Sequence, residues 1–322
     1  MPGRGVVTAA GPLDDARAPG YNRGMGSVVL GAAGQLGRRL VTVLAGRGSP
    51  VTALTHSDLD IRDALAVRQS LQDLRPQWVI NTAAYHQVDA CEEHADEAFA
   101  VNTIAVRELA RACRDIGATL VHFSTDFVFG GEKRQPYEEG DAPRPASVYA
   151  TSKLAGEHFA QAYCDRHLVV RTCGLYGVGG SRSRAGNFVD KMIELAGSGL
   201  PIRVVADQVV TPTFVGDLAD AVVGVLDREG DAADYYGLYH ITNAGECSWY
   251  DFAAAIFAEV GIRADLVPVS TADFGAPARR PPYSVLAHTR LRALGLPDLR
   301  PWREALRAYL AERAPACERT VT

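Results

Sequence analysis

Short apolar runs alternate with amphipathic stretches along the first half of the chain. The apolar runs are rich in Val, Ile and Leu and have the length of strands that are buried on both faces of a sheet. The stretches between them repeat apolar positions at helical spacing, as in Ala64–Leu74 and Glu92–Ile116. This alternation predicts an α/β fold with a doubly wound parallel sheet of the Rossmann type. The predicted strands are Ser27–Gly31, Val51–His56, Trp78–Ala84, Thr119–Ser124 and His167–Thr172.

The pattern becomes irregular after Thr172, beginning with the glycine-rich stretch Gly174–Gly186. We interpret the remainder as a smaller α+β substrate domain. Residues 27–175 and about 213–245 are assigned to a dinucleotide-binding domain, and 176–212 and about 246–315 to the substrate domain. Residues 1–26, rich in Gly, Pro, Ala and Arg, are predicted to form a disordered tail. The later predicted elements are the strand Ile202–Val205 and the helices Val215–Leu226 and Trp302–Leu310, and the segments Leu238–Thr242 and Trp249–Val260 are left without an assigned type.

The composition argues against several classes of binding partner. The 322-residue chain has a formal net charge of −5 and no basic cluster interleaved with aromatic residues, which argues against nucleic-acid binding. Its six cysteines lack C-x-x-C spacing, which is typical of reduced thiols and predicts no zinc or other metal site. No apolar run approaches the ~20 residues of a membrane span. We therefore expect a cytoplasmic protein with neither nucleic-acid nor membrane partners.

A glycine-rich turn joins the first predicted strand to the first helix. The run Gly31-Ala-Ala-Gly34-Gln-Leu-Gly37 has the spacing that lets backbone N–H groups approach a dinucleotide pyrophosphate. The second strand ends in His56 rather than in the Asp or Glu that holds a ribose 2′-hydroxyl, and Arg38 and Arg39 follow the last glycine. These residues favour NADPH, with NADH left open. The alternative is that both arginines are simply solvated helix residues.

Tyr149 and Lys153 are four residues apart and fall on the same face of a predicted helix. A nearby ammonium group favours the phenolate, so the pair can pass a proton to or from a carbonyl oxygen. Lys153 is one of only three lysines among 33 basic residues. Thr125 lies at the carboxyl end of the preceding strand, where ligands bind in open α/β sheets. The alternatives are a surface Tyr and Lys, and a capping role for Thr125.

These motifs, in this order, resemble the dTDP-4-dehydrorhamnose reductase family of extended short-chain dehydrogenase/reductases, over roughly residues 28–310. The motifs that carry the resemblance are Gly31–Gly37, Asp60-Ile61, Asn81–Tyr85 with Val88-Asp89, Asn102, Ser124–Phe129, Tyr149-x-x-x-Lys153 with Gly156-Glu157, Arg171-Thr172, Asn187-Phe188, Asp207-Gln208, Pro212-Thr213, Arg280-Pro281 with Ser284-x-Leu286, and Trp302-x-x-Ala-Leu306.

The resemblance implies reduction of the C4 ketone of a nucleotide-linked 4-keto-6-deoxyhexose, with hydride from the nicotinamide. Tyr149 would donate the proton, Lys153 would lower the pKa of Tyr149 and hold the nicotinamide ribose, and Thr125 would orient the carbonyl. The implied cofactor-binding residues are Gly31, Gly34, Gln35, Leu36, Gly37, Arg38, His56, Asp60, Ile61, Ala83, Ala84, Tyr85, Asn102, Tyr149 and Lys153. The implied residues around the sugar nucleotide are Asp126, Phe127, Gly174, Asn187, Gln208 and Arg280.

Three positions depart from the family pattern. Phe127 replaces a tyrosine, Gly174 stands where the family usually has a tryptophan, and Val210 replaces a glycine. The surface that meets the hexose is therefore altered, and we expect the reaction class to hold more firmly than rhamnose as the product. Two alternatives remain at this stage. One is a non-catalytic NADP-binding subunit of the kind that regulates methionine adenosyltransferase, and the other is a sugar-nucleotide epimerase or dehydratase. A homodimer is left open.

Overall fold

The computed structural model describes residues 26–179, 186–230 and 235–313. The predicted tail lies outside these residues except for Gly26, which already belongs to the fold because its carbonyl accepts a hydrogen bond from the backbone N–H of Gln77. No helix in the described ranges is long and apolar enough to cross a membrane.

Five of the six strands of the central sheet were predicted from the apolar runs, and all five are confirmed. Within the described residues the sheet is entirely parallel, in the order β10-β5-β4-β3-β1-β2. It is therefore a doubly wound sheet, as the sequence predicts. The strands are β1 Ser27–Leu30, β2 Val51–Leu54, β3 Trp78–Asn81, β4 Thr119–Thr125, β5 His167–Thr172, β6 Leu175–Tyr176, β7 Ile202–Val205, β8 Val209–Val210, β9 Thr213–Phe214, β10 Gly237–His240, β11 Cys247–Ser248 and β12 Leu266–Val269.

The helices match the predicted ones at most positions, but the single long helix predicted for Glu92–Ile116 is wrong. That stretch is interrupted at His94 and contains a π-helical turn, Ala100–Ile104. The buried Asn102 lies in this turn and forms hydrogen bonds with Tyr85 and with Ser152. The helices are α1 Gln35–Gly46, α2 Ala64–Leu74, α3 Val88–Glu93, α4 Ala95–Phe99, α5 Ala105–Ile116, α6 Val148–Tyr163, α7 Phe188–Ala196, α8 Val215–Leu226, α9 Trp249–Val260, α10 Thr271–Phe274, α11 Thr289–Ala293 and α12 Trp302–Arg313.

Helices cover both faces of the central sheet. Successive strand residues point to opposite faces, so Val28 packs toward α2 and α5 while Val29 packs toward α1 and α8. Leu71 on α2 and Leu40 on α1 are fully buried in these two layers. Burial of one such leucine contributes about 1.5–3 kcal/mol, which makes the apolar face of each helix the main reason that it docks.

The C-terminal part of the chain adds three two-stranded sheets, β11-β8, β12-β7 and β6-β9. A cluster of aromatic rings holds them against the central sheet, with Tyr176, Phe252 and Tyr309 at its centre. One continuous apolar core runs from Val29 in the first strand to Phe252 in α9. The C-terminal elements are thus fixed beside the carboxyl edge of the sheet. The two-domain division remains a prediction.

Candidate active site

Strand β4 delivers Thr125 to the carboxyl edge of the sheet. The chain then turns through a short 3₁₀ helix, Asp126–Val128, and the Thr125 hydroxyl caps it by accepting the Phe127 N–H at 3.2 Å. The same hydroxyl lies 3.1 Å from Asp126 Oδ1 and donates to it. The capping role proposed as the alternative for Thr125 is therefore real, but it leaves Thr125 beside Tyr149.

Tyr149 lies in the first turn of α6, which begins behind the side-chain cap of Ser147. Its hydroxyl is hydrogen bonded to the Thr125 side chain, and its ring is partly exposed. Phe127 packs edge-to-face against the Tyr149 ring, with ring centroids 6.1 Å apart. Burial raises the pKa of Tyr149 above its usual range, and the Thr125 hydrogen bond offsets this only in part. The direction is opposite to the one expected from the sequence.

Lys153 lies one helical turn after Tyr149 and is buried. Its Nζ donates to the Phe123 carbonyl at 2.6 Å and lies 3.5 Å from His122 Nε2. Burial lowers the pKa of Lys153 to about 8, so the group is still mainly charged at neutral pH. Burial, together with the Lys153 charge, holds the pKa of His122 well below its usual range. The Phe123 carbonyl thus holds an ammonium group beneath the site, with the neutral His122 ring beside it.

A buried ion pair fixes the next turn of α6. Glu157 accepts two hydrogen bonds from the Arg171 guanidinium, at 2.9 and 2.6 Å, and a third from the Ser124 hydroxyl. Both charged side chains are almost fully buried. Arg171 also stacks over the Phe129 ring, with 5.0 Å between the guanidinium carbon and the ring centroid. The pair ties α6 to strands β4 and β5 directly below the reactive side chains.

Asp126 is a buried carboxyl group beside Thr125. It accepts a hydrogen bond from the Ser284 hydroxyl and one from the Cys173 thiol. Burial raises the pKa of Asp126 to about 6, although these hydrogen bonds oppose the shift. Cys173 and Ser284 were not predicted as site residues. The available signals were the position of Cys173 at the end of β5 and the Arg280-Pro-x-x-Ser284 motif.

The glycine turn has the shape of a phosphate cradle. Gly31 has a φ of +75°, and a Cβ added there would lie 2.8 Å from the Ala83 nitrogen. A Cβ on Gly37 would lie 2.5 Å from the Gly31 carbonyl oxygen. Gly34 forms the N-cap of α1 without a side-chain cap, and the first turn has no acidic residue. The first N–H groups of α1 are therefore suited to a pyrophosphate. Gln35 lies at this N-terminus, whereas the Leu36 side chain packs in the core.

A further group of predicted cofactor-binding residues would surround the adenosine end of the dinucleotide. Arg38 is exposed, and its Nε donates to the Ala33 carbonyl at 2.9 Å. His56 is also exposed, at the end of β2. Asp60 pairs with Arg62 at 2.6 Å, and that hydrogen bond lowers the pKa of Asp60 to about 2. Ile61 is buried next to it. Arg38 can thus present positive charge to a 2′-phosphate, and the His56 ring is exposed to solvent.

The loop after β3 is positioned by the π-helical turn. Asn102 accepts the Tyr85 N–H at 2.9 Å, and its amide donates to the Tyr85 carbonyl and to Ser152 on α6, each at 3.0 Å. The Ala83 N–H is held by the Asn81 side chain at 3.1 Å, and Ala83, Ala84 and Tyr85 remain partly exposed. This places the small residues of the loop beside the glycine turn.

We call the side of the site built from residues 207–213, 245–249 and 277–284 the C-terminal wall. Two residues that were predicted to bind the substrate form hydrogen bonds within the protein. Asn187 caps α7 and donates to Gly177 and Tyr309, each at 3.0 Å, and Gln208 donates to Thr271, also at 3.0 Å. The structure therefore gives Asn187 and Gln208 hydrogen bonds within the protein, and their predicted place around the sugar nucleotide stays a prediction.

Arg280 lies on the C-terminal wall and is half-buried. Its two terminal nitrogens contact the two Asp89 oxygens at 3.0 and 2.8 Å. Asp89 is on α3, so this pair links the C-terminal wall to the first part of the chain. A diphosphate bound at Arg280 would share the guanidinium with the Asp89 carboxylate.

The altered positions have clear structural counterparts. Gly174 has a φ of +53°, and the indole of Trp249 lies against it. Val210 is buried and pairs with Cys247, so its side chain belongs to the packing of β8 and not to an open pocket. Trp249 was not predicted as a site residue. Its sequence position, at the start of a helix, carried no chemical signal.

Comparison with known proteins agrees with this geometry. The family model for the RmlD substrate binding domain matches residues 25–314. A dTDP-4-dehydrorhamnose reductase from Streptomyces griseus is 42% identical over 87% of this chain and 91% of its own length. A probable dTDP-4,6-dihydroxy-2-methyloxan-3-one 4-ketoreductase from Streptomyces antibioticus is 43% identical over 87% of this chain and 92% of its own length.

A solved structure has the same fold. The dTDP-4-dehydrorhamnose reductase from Bacillus anthracis, crystallised in complex with NADP, superposes with a TM-score of 0.84 and is 38% identical. The alignment covers 89% of this chain and 99% of that one.

Proposed function

Because the chain belongs to the RmlD substrate-binding domain family, we propose that it is an NADPH-dependent reductase of the C4 ketone of a dTDP-linked 4-keto-6-deoxyhexose. The observation that carries the proposal is the contact between Tyr149 and Thr125 at the carboxyl edge of the sheet, above the buried Lys153. The similar proteins named above support the substrate class, since both relatives act on dTDP-linked sugars by name.

Tyr149 is suited to act as the acid. Because burial raises the pKa of Tyr149, the phenol carries its proton at neutral pH and can give it to a ketone oxygen as hydride arrives at the carbon. The charged Lys153 beneath the site would then stabilise the phenolate that remains. The lowered phenol pKa expected from the sequence is thus not required for reduction, because a protonated phenol is the form that donates.

Thr125 and Asp126 would position the sugar. The Thr125 hydroxyl can donate to the ketone oxygen once it turns from Asp126. The Asp126 carboxyl group, held by Ser284 and Cys173, would accept a sugar hydroxyl. Phe127 covers one edge of Tyr149 with an apolar ring. With a sugar bound, these groups would surround the position at which the proton is transferred.

The chain's own residues fit a bound dinucleotide. Gly31 and Gly37 allow the tight turn at the start of α1, because a Cβ at either position would collide with neighbouring backbone. The N–H groups of that helix start would hold a pyrophosphate, and the exposed Arg38 would suit the additional phosphate of NADPH. The reduced nicotinamide supplies the hydride when it is bound. The NADP complex of the similar Bacillus anthracis reductase supports this choice of cofactor.

The direct test is NADPH oxidation with a panel of dTDP-linked 4-keto-6-deoxyhexoses, followed by NMR of the product. NADPH that carries deuterium on C4 of the nicotinamide should place deuterium on C4 of the product sugar. Conversion of the sugar without net oxidation of NADPH would replace the proposal with an epimerase or dehydratase. Binding of NADPH without turnover of any member of the panel, together with tight binding of a methionine adenosyltransferase, would replace it with a regulatory subunit.

A further inference from the structure

Trp249 approaches the site from the C-terminal wall. It is the first residue of α9, directly after Ser248, whose side chain caps the helix. A Cβ added to Gly174 would lie 3.2 Å from Cη2 of the indole and 3.3 Å from the Pro212 Cα. The far end of the indole therefore lies next to the position that a side chain at Gly174 would occupy, and a larger residue there would have to displace it.

Gly174 is close to the reactive groups. It follows Cys173, whose thiol is hydrogen bonded to Asp126, and Asp126 is adjacent to Thr125. The Gly174 carbonyl accepts the Thr213 N–H at 3.1 Å, which fixes the C-terminal wall to this point of the sheet edge. Gly174, which lies beside the Trp249 indole, and Cys173, which contacts Asp126, are thus the two residues between Trp249 and the buried Asp126 carboxyl group.

The environment of Trp249 differs from that of the other tryptophans. Trp78 and Trp302 are buried, with 0% and 6% of their surface exposed, whereas Trp249 is partly exposed. Phe188, also partly exposed, lies 4.8 Å from Trp249 between ring centroids, and Phe252 supports the indole from the core at 6.3 Å. Together Trp249 and Phe188 present an aromatic surface that is held rigidly from behind.

We propose that the indole of Trp249 forms one wall of the sugar pocket and selects hexoses that lack the C6 hydroxyl. A methyl group and the C–H bonds of a sugar face pack well on an aromatic ring, whereas a hydroxyl in that position would be desolvated without a partner. This inference rests on the proposed function, because it assumes that the ketosugar lies between Tyr149 and the C-terminal wall. It assigns the choice of substrate to a residue outside the reactive set.

The first test uses tryptophan emission, because Trp249 is the partly exposed tryptophan of the three. Titration with dTDP-6-deoxyglucose should change the emission of the unaltered protein, and dTDP alone should change it much less. Trp249→Phe should abolish the change, and the matched control Trp302→Phe should keep it. If the nucleotide sugar binds in calorimetry and the emission change survives in Trp249→Phe, the inference is overturned.

The second test compares two ligands that differ only in the C6 hydroxyl. Calorimetry should show that dTDP-6-deoxyglucose binds the unaltered protein roughly tenfold more tightly than dTDP-glucose, a typical ratio for one small group in an apolar pocket. Trp249→Ala should reduce this ratio below about threefold. An unchanged ratio overturns the inference while turnover of a ketosugar still supports the proposed function. If neither nucleotide sugar binds and no ketosugar is reduced, the proposed function fails and the inference fails with it.

Discussion

The sheet edge and the C-terminal wall face each other across the candidate site, and they are built in different ways. The sheet edge takes its reactive side chains from one strand end and one helix, with Thr125, Tyr149 and Lys153 close in sequence. The C-terminal wall is assembled from three distant segments whose polar side chains mostly contact other protein groups. Arg280 pairs with Asp89, and Gln208 pairs with Thr271.

This difference indicates how the two sides can vary. The acid and its cation are fixed by helical spacing and by buried contacts, so a change there alters the chemistry itself. The C-terminal wall is held by packing, so changes such as Gly174 beside Trp249 can alter which sugar fits while the acid stays in place. Four predictions, in order of decreasing effect, test this separation.

Tyr149→Phe should have the largest effect. The variant keeps the ring that packs against Phe127 but loses the proton donor, so kcat should fall roughly 10²–10⁴-fold. The affinity for NADPH and the thermal stability should change little. The measurement is steady-state NADPH oxidation, with cofactor binding followed separately. Turnover at the wild-type rate would remove Tyr149 from the mechanism.

Glu157→Gln should cause the largest loss of stability. The substitution preserves shape but leaves the buried Arg171 cation without its counterion, which costs about 3–5 kcal/mol of unfolding free energy. Urea denaturation monitored by circular dichroism measures it. The matched control is Asp89→Asn, which breaks an ion pair whose aspartate is 44% exposed and should cost about 1 kcal/mol or less. Equal losses in the two variants would contradict the structural role assigned to Glu157.

Asp126→Asn should change how stability depends on pH. Burial raises the pKa of the Asp126 carboxyl group to about 6, whereas an ordinary aspartate has a pKa of about 4. The retained proton contributes stability to the folded protein that is fully present below the ordinary pKa. That stability is lost as the pH rises through 6. Relative to wild type, the variant should therefore gain about 1–3 kcal/mol between pH 4 and pH 7.5. Denaturation at the two pH values measures the gain.

The control for this pH dependence has the opposite sign. Arg62 lowers the pKa of Asp60 to about 2, so the Asp60 carboxylate contributes stability above its ordinary pKa and loses it as the pH falls toward 2. Asp60→Asn should therefore lose stability, relative to wild type, on going from about pH 2 to about pH 5. The effect should be small because the pair is partly exposed. The same sign in both variants would show that burial of Asp126 is not the cause.

Arg280→Gln should have the smallest effect on stability, about 1 kcal/mol or less, because its ion pair is partly exposed. If Arg280 also contacts the diphosphate, KM for the nucleotide sugar should rise roughly tenfold, since a hydrogen bond to a charged group contributes about 1.5–3 kcal/mol. Asp89→Asn keeps the guanidinium and should leave KM nearly unchanged. Steady-state kinetics of both variants separate the two roles, and equal KM values would leave Arg280 as an ion-pair residue.

The fold could largely be predicted because its signals are local. Apolar runs marked the strands, and the bounds of α2 and α8 were predicted to the residue. The π-helical turn around Asn102 was missed, because its cause is a set of contacts with Tyr85 and Ser152 that are distant in the sequence.

The site residues also divide into those with a local sequence signal and those that only tertiary packing brings together. Tyr149 and Lys153 followed from helical spacing, and Thr125 from the rule that ligands bind at the carboxyl ends of parallel strands. Trp249 and Ser284 could not be found in this way, since only tertiary packing brings them to Gly174 and Asp126. The direction of the Tyr149 pKa was also missed, because burial depends on the surrounding fold and not on the neighbouring lysine alone.

Helix α6 is held in place at three positions along its length. Ser147 caps its start, a Cβ on Gly156 would lie 2.2 Å from the Asn102 carbonyl, and Glu157 is locked to Arg171. The helix can neither slide nor rotate without breaking one of these contacts. An engineer who wants the opposite C4 epimer should therefore leave α6 alone and redesign the surface on which the hexose rests, so that the ring turns over in front of a stationary acid.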